Sequence, residues 1–181
     1  MNVTVYCASS FGEDPAFSHG AIELGSWIAK EGHTLVYGGS QVGLMGLIAD
    51  TVLASGGRAI GVMPRVLLDR EPPHGGLTEL YSVETMAERK SKMIELGDVF
   101  VALPGGPGTL EELSEIISFY KIGIMPGLMF ILNIDGYYDS LVELFDRMIG
   151  HGFMTMDVRA KVQVVESARE LTEGLERLAR S

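Results

Sequence analysis

The chain predicts a doubly wound α/β fold, a parallel sheet covered by helices on both faces. Three observations lead there. Short apolar runs alternate with segments of helical period along the 181 residues. The early apolar runs lack the polar alternation of a half-exposed strand, as expected when both sheet faces are covered. Glycines punctuate the ends of helical segments at Gly32, Gly56-Gly57 and Gly97. The resulting β-α alternation is Rossmann-like. The length predicts a single domain spanning residues 1–181.

In chain order, strands are expected near residues 2–8, 33–38, 58–63, 79–83, 98–103, 128–134 and 162–166. Helices are expected near 15–31, 43–56, 85–96, 109–121, 137–151 and 168–179. The first strand begins at once, since Met1-Asn2-Val3-Thr4-Val5-Tyr6 shows no basic leader and no signal peptide. The fifth, Val99-Phe100-Val101-Ala102-Leu103, is apolar throughout and reads as buried. Between Met63 and Glu79 lies the main irregular stretch, carrying Pro64, Pro72, Pro73, Gly75 and Gly76, a candidate rim loop. The acidic stretch from Glu166 to Glu176 fits the solvated face of the last helix.

Bulk properties exclude several function classes. A net charge of −10 argues against a nucleic-acid surface, which needs a basic stripe, but not against a nucleotide held by a few local donors. The apolar runs are too short to span a bilayer, so a cytoplasmic location and no membrane partner are expected. The lone Cys7 excludes an internal disulfide and a thiolate cluster, and reads as a small core residue. His19, His33, His74 and His151 are scattered without ligand spacing, so no metal site is expected; His74, in the rim loop, is placed to approach a substrate. The ten methionines read mostly as core filler, with Met45, Met86 and Met125 available to line an adaptable pocket or interface.

In an open parallel sheet the loops after the strands gather on one edge, where ligands bind. Three glycine- or serine-rich loops should meet there: Cys7-Ala8-Ser9-Ser10, Tyr37-Gly38-Gly39-Ser40-Gln41-Val42-Gly43, and Pro104 to Thr109. None carries the Gly-Lys-Ser/Thr of a P-loop, and none matches Gly-x-Gly-x-x-Gly, which disfavours a full dinucleotide. Their coincidence favours a mononucleotide. The stretch from Leu103 to Leu113 is the most telling, because a strand runs through a glycine turn into a helix whose first N–H groups can hold a phosphate.

Glu112 sits one turn beyond that turn. At about 100° per residue, Leu110, Leu113, Ile116, Ile117, Phe119 and Tyr120 form an apolar arc, and Glu112 falls inside it. A carboxylate there needs a partner or a role. The spacing equally admits a capping box with Thr109 as N-cap. The helix over 85–96 favours the pocket. Its apolar arc holds Met86, Ala87, Met93, Ile94 and Leu96, and the cations Arg89 and Lys90 lie within it. One such cation is ordinary snorkelling; two, beside an inward glutamate and a phosphate loop, indicate a pocket for an anionic substrate.

Pro104-Gly105-Gly106-Pro107-Gly108-Thr109-Leu110-Glu111-Glu112 resembles the Pro-Gly-Gly-x-Gly-Thr-x-x-Glu motif of the LOG ("Lonely Guy") family of cytokinin-activating phosphoribohydrolases. Tyr37-Gly38-Gly39, Val42 to Gly46, Met86 with Glu88-Arg89-Lys90, and Asn133 to Tyr138 extend the resemblance over residues 3 to about 155. It implies release of ribose 5-phosphate and free base from N6-substituted adenosine monophosphates, by an assembly that is usually a homodimer and sometimes larger, with the active site near the subunit interface; no cofactor is expected. By position it makes Arg89 and Glu112 the catalytic pair. It gives substrate contacts to Ser9, Gly38, Gly39, Met86, Lys90, Gly105, Gly106, Pro107, Gly108, Thr109, Leu110 and Glu111, and also to Glu71 and Ser118. Ala87 stands where a histidine is common, Ser40 replaces a glycine, and Phe119 to Met125 departs from the usual Trp-x-Gln-Leu-Gly-x-His. These changes bear on base preference and interface rather than on the chemistry.

The chemistry agrees, because breaking an N-ribosyl bond builds positive charge on the sugar that a carboxylate offsets. Two rival readings are a non-catalytic nucleotide or molybdenum-cofactor carrier, and a lysine decarboxylase. The second would need a Schiff-base lysine for pyridoxal phosphate, and only Lys90 is placed for that.

Overall fold

The computed structural model describes residues 1–70, 72–125 and 127–180. Seven strands form one sheet: β1 (Asn2–Tyr6), β2 (Thr34–Tyr37), β3 (Arg58–Pro64), β4 (Glu79–Val83), β5 (Val99–Ala102), β6 (Met129–Leu132) and β7 (Val162–Val165). Every pairing is parallel, in the order β4-β3-β2-β1-β5-β6-β7. The chain winds outward from β1 in one direction and from β5 in the other. The strand order therefore reverses between β1 and β5, where such sheets open a crevice.

Strand alternation sorts the core into two layers. Val3, Val5 and Cys7 of the β1 region point to the side covered by α1 (Pro15–Lys30), α2 (Gly43–Ala54) and α8 (Ala168–Arg180), which contribute Leu24, Ile48 and Leu171. Tyr6 points to the other side, against α4 (Met86–Leu96), α5 (Pro107–Ile122), α6 (Asp139–Gly150) and α7 (Met156–Ala160), which contribute Met93, Leu113, Phe145 and Val158. Val99, Phe100, Val101 and Ala102 are all buried, as their apolar run predicts. Cys7 is a buried core residue whose thiol is pushed up by burial. The outer strand β4 is largely exposed, whereas β7 is partly covered, with Val162 buried.

All seven expected strands and six expected helices form, with two helix starts displaced and two short helices added. Helix α5 starts two residues early because Pro107, with its φ preset and no N–H to lose, takes the first helical position after Gly106. A 3₁₀ turn over Ile134–Gly136, with Asp135 at φ 49°, delays α6 to Asp139. Two short helices, α3 (Arg65–Leu68) and α7, form where no helix was expected. The rim loop is pinned back to β2: Ser40 pairs with Pro73, and His74 N–H donates to Gly39 O at 3.0 Å. No described helix is long and apolar enough to cross a membrane.

Candidate active site at the strand-order reversal

A cavity of about 350 Å³ opens at the crevice between β1 and β5. Its walls come from Cys7 to Ser10 after β1, Gly38 and Ser40 after β2, and Met45 on α2. Met63, Leu67 and Arg89 close a second side, and Gly106 to Thr109 with Glu112 a third. The three loops predicted to converge do so.

The two glycine-led helix starts differ in what they offer. At α2, Leu44 N–H donates to Ser10 O at 3.2 Å and Met45 N–H to Ala8 O at 3.3 Å, so the β1 loop consumes these donors. Gly43 permits this approach: it sits at φ +61°, and a Cβ there would strike the Ser9–Ser10 backbone. At α5, Gly106 is the N-cap with no side-chain cap, and the first intrahelical bond runs from Leu110 N–H to Gly106 O at 3.1 Å. Gly108 and Thr109 therefore present their N–H groups ahead of that bond, on the wall of the cavity, where the helix dipole favours an anion. Thr109 lies inside the helix and is no N-cap, which removes the capping-box reading of Glu112. Thr85, at the start of α4, is the threonine that caps, accepting from Glu88 N–H at 3.1 Å.

Glu112 and Arg89 are both buried and face the same cavity. The Arg89 Nη1–Glu112 Oε1 distance is 3.4 Å, and Arg89 Nε donates to Val62 O at 3.1 Å. Gly38 leaves room for this guanidinium, because a Cβ there would overlap it. Burial pushes the Glu112 carboxyl up to about 7, against the opposing pull of Arg89. A carboxyl poised near neutrality in a cleft is what general acid–base chemistry needs.

Of the other residues named from sequence, Ser9, Gly106, Pro107, Gly108 and Thr109 line the cavity with Gly38. Several do not. Lys90 turns to the seam between α4 and α5, its Nζ 2.8 Å from Glu111 and 3.3 Å from Glu115, and the Glu111 hydrogen bond raises its pKa. Glu111 is thereby directed outward. Met86 and Leu110 stand exposed at the first turns of their helices. Gly39 packs on Met63, and its carbonyl is taken by His74. Gly105 lines a neighbouring cavity of about 200 Å³ with Phe17 and Tyr137, and its carbonyl accepts from Tyr137 Oη at 2.7 Å. Ser118 bonds back to Ser114 O and lines a separate groove. His74 is engaged by Asp50 at 2.9 Å and stays out of the cavity. Glu71 lies outside the described residues. Met45, Met63 and Leu67 form an apolar end of the cavity; of these the sequence pointed only to Met45. Among the described residues no group of three or more His, Cys, Asp or Glu comes together to hold a metal.

Fold and site define a class: a Rossmann-like protein that can take a small phosphorylated ligand beside a buried carboxylate–guanidinium pair. The family model described as "possible lysine decarboxylase" matches residues 45–175. A probable cytokinin riboside 5'-monophosphate phosphoribohydrolase of Oryza sativa subsp. japonica is 42% identical over 179 residues, covering 99% of this chain and 80% of the relative. A cytokinin riboside 5'-monophosphate phosphoribohydrolase of Arabidopsis thaliana is 40% identical over 174 residues, covering 96% and 80%. The chain belongs to this LOG family. The molybdenum cofactor binding protein of the phototrophic bacterium Rippkaea orientalis shares the fold, with a TM-score of 0.76 at 21% identity over 98% of this chain and 96% of that one.

Proposed function

We propose that the protein hydrolyses the N-glycosidic bond of N6-substituted adenosine 5'-monophosphates, releasing the free base and ribose 5-phosphate. The observation that carries this reading is the Glu112–Arg89 pair, buried in the cavity one helical turn past the open start of α5. Three residues of helix from Thr109 to Glu112 advance about 5 Å, the scale that separates a 5'-phosphate from the anomeric carbon of its ribose. Gly106 to Thr109 hold the phosphate, Glu112 faces C1', and Met45, Met63 and Leu67 receive the base end.

As the C1'–N bond breaks, the ionised Glu112 carboxylate offsets the charge growing on the ribose and then accepts a proton from the attacking water. The water's hydroxyl ends on C1', and overall its proton ends on the purine. Arg89 orients Glu112 and holds it against desolvation; a guanidinium stays charged and gives up no proton.

The family description notwithstanding, no lysine is among the described residues lining the cavity, and Lys90 is occupied by two carboxylates. That disfavours pyridoxal-phosphate chemistry. The carrier reading rests on fold likeness, and the buried acid–base pair gives no reason for mere carriage.

The proposed working unit is one domain of residues 1–181, acting as a cytoplasmic homodimer on a nucleotide pool. Exposed Ile122, Ile124, Phe153 and Met156, beside an apolar groove lined by Ile117, Leu144 and Met148, offer a face for a second copy. Multi-angle light scattering of wild type and Phe153→Glu tests it, with a dimer and a monomer expected respectively.

Chromatography of products from isopentenyladenosine 5'-monophosphate tests the activity. Free base should appear from the monophosphate, and far less from the nucleoside or triphosphate. Tight binding without base release would convert the assignment to a carrier.

A further inference from the structure

Resting on the reading of Glu112 just given, we propose that Lys90 is a positioning residue that clamps the turn of α5 carrying Glu112, and does not contact the substrate phosphate. The geometry is a two-rung ladder between α4 and α5. Arg89 meets Glu112 on the cavity side, at 3.4 Å. Its neighbour Lys90 meets Glu111 at 2.8 Å and Glu115 at 3.3 Å on the outer side. Glu111 and Glu115 are one turn apart and flank Glu112, so a single ammonium ties down the helical segment that holds the carboxylate. The Lys90 side chain is only 14% exposed, and the Glu111 and Glu115 contacts fix where its head lies. The cavity wall does not include it.

The arrangement has an electrostatic purpose as well as a mechanical one. Three carboxylates within about one turn repel one another, and like charges at this spacing destabilise both the helix and each other's ionised form. The charged groups around Glu112 are Arg89 and Lys90 from α4, and Glu111 and Glu115 from its own helix. From β1 come Tyr6 and Cys7, which burial keeps neutral. Glu111 and Glu115 push Glu112 towards protonation, while Arg89 and Lys90 oppose them. Lys90 cancels the two outer carboxylates, so that the inner one can ionise near neutral pH.

Lys90→Met tests this through a split that a phosphate ligand would not give. The fall of kcat on the acid side should move up by roughly 0.5–1 pH. KM for the monophosphate should stay within about twofold, since a distant clamp removes no ground-state contact. Lys90→Arg should restore the profile. The triple variant Lys90→Met, Glu111→Gln, Glu115→Gln should return it close to wild type, because cation and anions leave together. If Lys90→Met fails to fold, Glu111→Gln with Glu115→Gln in the wild-type background reads the same coupling with opposite sign, moving the profile down. A tenfold rise in KM with the profile unmoved would make Lys90 a phosphate ligand and overturn the proposal; so would a Lys90→Met enzyme with neither quantity changed. Glu112→Gln separates the two readings: if the wild-type profile has no acid-side fall that this variant abolishes, the role of Glu112 fails, and that of Lys90 with it.

Discussion

Arg89 joins the sheet to α5: its Nε donates to Val62 O at 3.1 Å on β3, and its Nη1 stands 3.4 Å from Glu112 Oε1 on α5. One side chain thus spans three elements and fixes the only carboxylate on the cavity wall among the described residues. The pair is buried, so the ionised Glu112 carboxylate depends on Arg89 for compensation, and removing Arg89 leaves that charge unpaired.

Activity should follow the ionised form of Glu112. With its carboxyl raised to about 7, kcat should rise from pH 6 to pH 8 and level off above. Glu112→Gln should lose at least ~100-fold, on the scale of a lost general base. Arg89→Ala should lose a similar factor and push the remaining profile to higher pH, because the lowering influence on Glu112 goes with it. Initial rates across pH on the isopentenyl monophosphate check all three. Near-wild-type turnover by both variants would reject the assignment.

The same carboxylate should cost stability. Its folded pKa of about 7 lies above the ordinary 4.5, so between those values the folded state binds more protons than the unfolded state. The stabilisation this gives is complete below about pH 4.5 and is lost as pH rises through 7. Full ionisation costs on the order of 3 kcal/mol, at about 1.4 kcal/mol per pH unit. Glu112→Gln should therefore raise Tm at pH 8 and leave it nearly unchanged at pH 4.5, with each kcal/mol worth roughly 2–4 °C. Calorimetry at the two pH values decides, and an equal effect at both would mean Glu112 ionises normally.

Much of this was legible in the sequence, for identifiable reasons. Seven apolar runs and six periodic segments give the alternation that the sheet realises, and helical period alone turns Glu112 and Arg89 inward. The capping-box alternative at Thr109 could not be dismissed from spacing, since it turns on Pro107 starting the helix two residues early. The partners of Lys90 were hidden for a deeper reason. A residue next to an inward arginine also falls in the apolar arc, and only the packing of α4 on α5 shows that Glu111 and Glu115 await it. Met86 and Leu110 fall in the same arcs yet stand exposed, which helical period alone does not show. The helices at Arg65–Leu68 and Met156–Ala160, of four and five residues, are too short to leave a period.

Gly38 should be needed for the sake of Arg89. A methyl group at Gly38 would occupy the space of the guanidinium and press on Met45 Sδ at 2.9 Å. Gly38→Ala should displace Arg89 and lower kcat at least tenfold, an order-of-magnitude expectation for a displaced catalytic group. The acid-side fall should move up, as it does for Arg89→Ala. Combining Gly38→Ala with Arg89→Ala should then cost little more than Arg89→Ala alone, because both act through one group. Additive losses would show that Gly38 serves the substrate directly.

Gly108→Ala provides the cleanest separation of binding from folding. A Cβ at Gly108 meets no protein atom within 4 Å, and its φ lies outside the left-handed region. Alanine also favours a helix over glycine by up to about 1 kcal/mol, so Tm should hold or rise slightly. Yet Gly108 is on the cavity wall at the open start of α5, and a methyl there would stand between the backbone N–H groups and a phosphate. KM for the monophosphate should rise about tenfold or more, the equivalent of roughly 1.4 kcal/mol of lost binding. The reaction of the nucleoside, expected to be weak, has no phosphate to lose contact with and should change little. Equal loss on both substrates would place the phosphate elsewhere in the cavity, and with it the whole orientation of the nucleotide.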